Sequence, residues 1–506
     1  MTSSIKNIRL WPLTTIVILT VLAIGIVWLL DAAHRQNKVA LTVLILTITF
    51  LFLIVWLLGF SRLTSRVKFV SFSAILSCIT LFVVLFRFNG FSGDLVPKFE
   101  WRWRGETDPK VGSSYLDVSE ASFLTDYPQF LGPDRNATIS GINLNTDWKN
   151  NPPELVWRIP VGAGWSGFAV ANGSAITQEQ ENEWEKVVCY DFYTGQEKWT
   201  HKDLARYYTS LGGLGPRATP TVDGDRVYTV GGTGILNCLD FETGKQIWST
   251  NIFDENNATA PPWGVSVSPL IHDDFVIVSA GGSVAYYKDS GEIAWTGHRV
   301  QSAYSSPVLL TLAGTEQVVL FDDGLITSHN PNTGNLLWKQ SWQARGVECA
   351  AQPTPLPGDR LLVSTAYGIG AKLFHITKGN LSTTLNVKVI WETIRLKAKF
   401  TTIIYYKDYL YALDDGIFTC INPIDGNRQW KKGRYGHGQT LLISDILLVL
   451  TESGKVVLLE PNPEEHIELG HFQALTGQTW NTPAIAGNYL LVRNSREAAC
   501  YRLPLK

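Results

Sequence analysis

One eleven-residue phrase returns five times in this chain and limits its fold more than any other feature. It reads CYDFYTGQEKW (Cys189 to Trp199), CLDFETGKQIW (Cys238 to Trp248), AYYKDSGEIAW (Ala285 to Trp295), SHNPNTGNLLW (Ser328 to Trp338) and CINPIDGNRQW (Cys420 to Trp430). Glycine always stands seventh and tryptophan eleventh. Gly195, Gly244, Gly291 and Gly334 are 49, 47 and 43 residues apart, and Gly426 follows 92 later, leaving room for one degenerate copy. A period of this size is that of a four-stranded propeller blade. Within the phrase an alternating strand leads to a tight Thr-Gly, Ser-Gly or Asp-Gly turn, where glycine takes the positive φ, and the returning strand carries the tryptophan. Such a ring can be buried between blades while its N–H meets a backbone carbonyl.

The phrase resembles the tryptophan-docking motif of the pyrroloquinoline-quinone (PQQ) propeller family, Ala-x-Asp-x-x-Thr-Gly-x-x-x-Trp. The resemblance implies the fold and says little about activity, because the motif is structural. Blade endings fall at Trp157, Trp199, Trp248, Trp295, Trp338, Trp391, Trp430 and a degenerate place near Ile467, so an all-β, eight-bladed propeller is expected over residues 126–506. ELVWRIPVG, around Trp157, lacks the turn that should precede it, and the C-terminal REAACYRL, Arg496 to Leu503, stops before its own. Joining the two closes the ring and removes exposed edges. The sixth ending follows an apparent insertion at Lys378 to Thr384, and PNPEEH replaces the seventh turn.

The first ninety residues are different in kind. Trp11 to Leu30, Val39 to Phe60 and Phe69 to Phe86 are uncharged and about long enough to cross a bilayer as helices. Residues 1–90 are therefore expected to be a three-helix transmembrane anchor, with His34 in a solvated loop between the first two spans. Residues 91–125 are read as an interfacial segment and linker: in FEWRWRG, Phe99, Trp101 and Trp103 alternate with Arg102 and Arg104, a composition suited to the headgroup layer, and residues 105–127 are polar and turn-rich. Basic residues are nearly balanced between the two sides of the spans, and the family resemblance favours a cytoplasmic-membrane protein with a periplasmic propeller. The lead-in DYPQFLGPDRNATISGINLNTDW, Asp126 to Trp148, resembles the segment that precedes the first strand in bacterial PQQ-like repeat proteins, with Gly132, Pro133, Asp134 and Arg135 in a turn.

A formal charge of −2 with no basic block excludes nucleic acid as the expected partner. Cys189, Cys238, Cys420 and Cys500 share one register in separate blades and read as small buried strand residues. Chemistry is concentrated where loops enter the innermost strands, many of which open with a small or polar residue and proline, as in ATPTVDGDRVYTV. The crown so defined contains approximately Ser166, Arg217, Ser266, Tyr304, Gln352, Thr401, His437 and Trp480, with Trp165, Trp263 and Glu348 near by. Arg217, Glu348, His437, Trp480 and Trp165 are the candidate cofactor-binding set: the cation suits a carboxylate, the indoles suit a flat ring, and Glu348 suits calcium or proton transfer. Mutual satisfaction of these groups is the plainer reading.

Catalytic members of the resembled family bind PQQ in this funnel, often with calcium, and use an aspartate base. This chain has no vicinal cysteines, its blades are compact, and neither the calcium ligands nor the catalytic aspartate falls on a matching motif. Asp322, Asp323, Asp414 and Asp415 lie in DDG contexts that serve turns. The compact size is more similar to non-catalytic members, among them the propeller lipoprotein of outer-membrane protein assembly. The leading expectation is a non-enzymatic, membrane-anchored platform that binds a protein through its loops and requires no cofactor. A PQQ-dependent dehydrogenase passing electrons to membrane quinone is the alternative.

Overall fold

A computed structural model describes residues 9–30, 34–103, 125–302, 304–344, 346–379 and 384–506. Two compact units divide the chain, Met1–Glu106 and Thr107–Lys506. The proposed linker, apart from its ends, and the tip of the insertion after Lys378 lie outside the described residues.

In the first unit, α1 (Trp11–Leu29), α2 (Arg35–Val55, continued by a π-turn at Trp56–Phe60) and α3 (Ser65–Leu85) are long and apolar enough to cross a membrane. Thr20 and Thr49 bond across α1 and α2 at 2.7 Å, and Trp28 Nε1 donates to Thr42 Oγ1 at 3.1 Å. His34 is the N-cap of α2 and accepts from the Asn37 N–H. The sequence reading missed that the segment after α3 is a hairpin, β1 (Phe86–Phe91) paired with β2 (Pro97–Trp101). Alternating aromatic residues on both strands supply the period of two that a hairpin needs.

The second unit is the expected propeller. Seven four-stranded antiparallel sheets and one five-stranded sheet form eight blades. The eighth blade joins Glu497–Arg502 to Glu154–Pro160, with Cys500 opposite Trp157, so the ring closes from two distant segments as the sequence implied. Arg493 reinforces the seam from within the core, donating to Thr177 Oγ1, Gln178 O and Gly162 O in the first blade.

Each docking tryptophan reaches the turn of the next blade. Trp157 donates to Phe192 O at 2.8 Å, Trp199 to Phe241 O at 2.9 Å, Trp248 to Lys288 O at 2.7 Å and Trp295 to Pro331 O at 3.0 Å. The turn glycine lies flat against that ring: a Cβ on Gly195 would come within 2.9 Å of Trp157 Cδ2. Two blades depart from this rule. In the fifth, the third and fourth strands continue pairing outward from Leu373↔Trp391 to Lys378↔Leu385, and among the described residues no turn glycine lies against Trp338. The insertion is thus an extended hairpin, and Trp338 donates instead to Gln317 Oε1 in its own blade at 2.7 Å. The seventh blade carries Gly470, opposite Leu458, where a tryptophan should stand. Trp148 from the lead-in packs over Gly470 and edge-on to Phe472 at 5.4 Å, filling the gap. PNPEEH still works as a docking turn, with Asn462 O accepting from Trp430.

The lead-in lies at the end of the channel opposite the crown, where it meets the turns between first and second strands. Thr125 Oγ1 accepts from Gly487 N, Tyr127 bridges Val170, Pro128 O accepts from Val222 N, and Thr138–Ile139 pairs in parallel with Gln439–Ile443. Arg135 stands in the expected turn, its N–H donating to Gly132 O at 3.0 Å, and its side chain is buried; the guanidinium donates to Pro269 O at 2.9 Å, Ser268 O at 3.1 Å and Pro307 O at 3.4 Å. Burial lowers its pKa to about 9. One side chain therefore ties the third and fourth blades to the lead-in.

Two stability predictions follow from this packing. Gly195 and Gly224 both have positive φ, 71° and 60°, but only Gly195 lies under a ring, with open space around Gly224. Alanine at either should cost about 1–2 kcal/mol for conformation, and Gly195→Ala a further ~1–3 kcal/mol for overpacking. Urea midpoints at unchanged slope measure the difference. His329 is buried between the third and fourth blades and accepts from His298 N at 3.0 Å, which requires neutral imidazole. Burial, with the nearby His298, lowers its pKa to about 4. Its contribution is complete above the unfolded pKa near 6.5 and is lost as pH falls toward 4. The stability advantage of wild type over His329→Gln should shrink by about 3 kcal/mol between pH 7 and pH 4.

Candidate functional site

The loops entering the innermost strands form the crown, and they place the five candidate residues in one circuit of contacts. The fold of residues 205–216 explains one arc. The loop folds into a two-stranded piece, Tyr208–Thr209 against Gly213–Leu214, which turns the Gly212 carbonyl toward its neighbours. Trp165 Nε1 donates to that oxygen at 2.6 Å and Arg217 Nη2 at 3.0 Å, while Arg217 Nη1 donates to Gly215 O at 2.5 Å. The guanidinium lies 4.8 Å over the Tyr207 ring, an arrangement with cation–π character. Burial lowers its pKa to about 10. Arg217 is therefore occupied by carbonyl oxygens and an aromatic face.

From Trp165 the circuit passes to Trp480, with ring centroids 4.8 Å apart. Trp480 Nε1 donates to Glu452 Oε1 at 3.2 Å, and Glu452 Oε2 accepts from His437 N at 3.1 Å. Phe400 joins Trp480 to the His437 ring at centroid distances of 5.9 and 6.1 Å. On the other arc Gly212 packs beneath Trp263, whose Nε1 donates to Glu348 Oε1 at 2.9 Å and whose backbone N–H donates to the Tyr304 hydroxyl at 3.2 Å. Tyr367 hydrogen-bonds Glu348, and burial first, then that carboxylate, raises its pKa. Lys399 Nζ lies 5.0 Å over Tyr367. Lys399 precedes Phe400 in the chain, so the circuit closes.

Trp165 and Trp480 thus touch directly, His437 joins through Phe400, Arg217 through Gly212, and Glu348 through Trp263. Ser166, Ser266, Thr401 and Gln352 sit lower, bonded to backbone or to the neighbouring blade; Thr401 meets Thr440 at 3.2 Å, for example. Sequence reasoning missed Tyr207, Gly212, Tyr367, Lys399, Phe400 and Glu452. Lys399 and Phe400 sit just before the Thr401 that marked the crown, so widening that window by two residues would have found them; Tyr207 and Gly212 had no such marker. Asp323 and Asp415 take the left-handed turn positions their DDG contexts imply. Asp322 and Asp414, in contrast, are fully buried: Asp322 accepts from Ser279 Oγ, and Asp414 is paired with Lys397, Arg428 and Lys431 at 2.6–2.8 Å.

PQQ with calcium would demand cations aimed at its carboxylates and a cluster of oxygen ligands. The crown's arginine is held by carbonyl oxygens, its two carboxylates accept from indole, phenol and backbone donors, and no group of three or more His, Cys, Asp or Glu suited to a metal occurs among the described residues. The residues present do not fit that group.

Docked tryptophans, eight four-stranded blades and a loop-built crown define a quinoprotein-type β-propeller. The chain belongs to the PQQ-like family described as outer membrane protein assembly factor BamB, whose matches cover residues 183–432 and 322–501. It is 22% identical to outer membrane protein assembly factor BamB of Burkholderia pseudomallei, over 70% of this chain and 78% of the relative. A shorter stretch, 26% of this chain and 21% of the relative, is 31% identical to quinohemoprotein alcohol dehydrogenase ADH IIB of Pseudomonas putida. Among solved structures, BamB from Moraxella catarrhalis aligns with 69% of this chain and 98% of its own at TM-score 0.50 and 17% identity. Quinohemoprotein alcohol dehydrogenase from Comamonas testosteroni aligns with 74% and 80% at TM-score 0.53 and 12% identity. Both show the fold alone.

Proposed function

We propose that this protein is a non-enzymatic, membrane-anchored propeller that binds a protein partner outside the cytoplasmic membrane. The observation that supports this reading most is the self-satisfied crown: the cation, carboxylates and indoles that a cofactor would need are bonded to one another and to loop backbone. An apolar surface stands exposed beside it. Trp184 pairs across the strands with Leu204, and both project with Tyr208 and Leu211 at the crown end of the first blade. Arg206 rests on the Tyr208 ring at 5.9 Å and is within 3.5 Å of Glu183. Aromatic anchors with a charged rim are what a protein-recognition patch uses. The family's assembly-factor members and the three apolar helices agree with a tethered platform. The inner membrane is the proposed site, with the propeller in the periplasm.

Titration of the full-length protein with PQQ in calcium-containing buffer, followed by heat and quinone absorbance, should give no saturable binding up to about 100 µM, a limit near −5.5 kcal/mol. Saturable binding abolished by Arg217→Ala would favour the dehydrogenase instead. A photo-crosslinking residue at Trp184 or Tyr208 should give a discrete protein adduct in cells, and one at Asp289, exposed on another blade, should not. Equal labelling at all three positions would remove the patch from the proposal.

A further inference from the structure

The hairpin that follows α3 is amphipathic by its register. Phe86 faces Trp101 and Phe88 faces Phe99 on one side, while Arg87 faces Glu100 on the other, bonded at 3.5 Å. The aromatic side is a continuous array with α3: Phe82 lies 5.0 Å from both Phe86 and Phe99, Phe86 is 5.4 Å from Trp101, and Trp101 is 5.9 Å from Trp103. Phe88, Phe99, Trp101 and Trp103 are nonetheless about half exposed. Burying such a surface is worth about 25 cal/mol per Å².

Both ends of this hairpin are fixed to the helix bundle. At its root Arg102 folds back to donate to Val83 O at 3.0 Å and Phe86 O at 3.5 Å, and its backbone N–H donates to Leu85 O, capping α3. At its turn Asp94 is ion-paired with Arg35 at 2.7 Å and Gly93 O accepts from Gln36 at 2.7 Å, both at the first turn of α2. The start of α2 and the end of α3 mark the same end of the bundle. A strand pair attached at both places lies across that end instead of standing up from it.

We propose that this hairpin is an interfacial foot lying in the bilayer surface, its Phe86, Phe88, Phe99 and Trp101 face in the boundary between headgroups and acyl chains and its Arg87–Glu100 face in water, latched by Arg35–Asp94. It rests on the reading that α1 to α3 span a membrane. The occupant is lipid because the aromatic face continues the surface of α3, a helix with no buried residue of its own, and because Trp, Phe and Arg at a span's end suit the interface. An unlatched hairpin could swing off the surface; the ion pair holds it flat and so fixes where the chain leaves the membrane.

The test uses the full-length protein in phosphatidylcholine vesicles. Cys78, in α3, is the one exposed cysteine; the other five are buried. An environment-sensitive fluorophore on Cys78 should be quenched best by lipids with a nitroxide deep in the acyl chain. In a Cys78→Ser background, a probe on Phe99→Cys should be quenched best by a shallow nitroxide and at least threefold less by aqueous iodide than a probe on Arg87→Cys. Equal iodide quenching at the two positions overturns the proposal, and so does a Phe99→Cys probe shielded from both lipid and iodide, which would mean that protein covers the face. Failure of the Cys78 probe to meet any lipid nitroxide refutes the spanning reading itself and is distinguishable from the other two. Asp94→Ala should reduce shallow quenching at Phe88→Cys at least twofold, and Arg35→Asp with Asp94→Arg should restore it. No change in Asp94→Ala would remove the latch.

Discussion

The bond from a tryptophan N–H to the next blade's turn carbonyl is the interaction on which the propeller depends. Blades are separate sheets, and backbone pairing stops at each sheet's edge. The contact between Trp199 and the Phe241 carbonyl, with Gly244 against the ring, is what sets one blade's position relative to the next. The same bond recurs for Trp157, Trp248, Trp295, Trp391 and Trp430, with a turn glycine beneath every one of these rings but that of Trp430. Because a positive-φ glycine lies beneath five of the rings, the sequence repeats glycine and tryptophan at fixed spacing. That repetition is why the fold can be read at all.

Legibility ends where the repeat does. The eight blades and the closure at Trp157 and Cys500 followed from register, since strand alternation and turn glycine leave few alternatives. Gly470 could not be read as a tryptophan position whose ring comes from Trp148, more than three hundred residues earlier, because nothing local marks a side chain borrowed across the fold. Arg135 was legible as the turn residue it is, but the destination of its guanidinium among the carbonyls of Ser268, Pro269 and Pro307 depends on how the lead-in crosses the channel. At the crown, residue types and approximate positions were visible, while their partners were set by loop conformation: Arg217 turns to the Gly212 carbonyl only because residues 208–214 fold back on themselves.

The crown and the lead-in give the channel two dissimilar ends. One is covered by chain whose main contacts are backbone hydrogen bonds and a single buried guanidinium. The other is a belt of indoles, phenol and carboxylates in which each polar group already has a partner. A belt of this kind is rigid for the same reason that it is chemically quiet: moving one member leaves another's buried hydrogen bond unmade. Propellers in this family therefore need not change fold to differ in activity; what matters is whether crown side chains point at one another or at a ligand.

Closure of the eighth blade also has a temporal side. Glu154–Pro160 is synthesised early, yet its partner, Glu497–Arg502, emerges 337 residues later. Until then the first blade has no neighbour on one flank and the earlier strand has an open edge, while the apolar helices that precede it have already left the ribosome. Long-range pairing is slow to form, so the nascent chain carries an unpaired edge through most of its translation. A chain that stops before Glu497 leaves the Glu154–Pro160 edge unpaired, so loss of this one strand opens the ring.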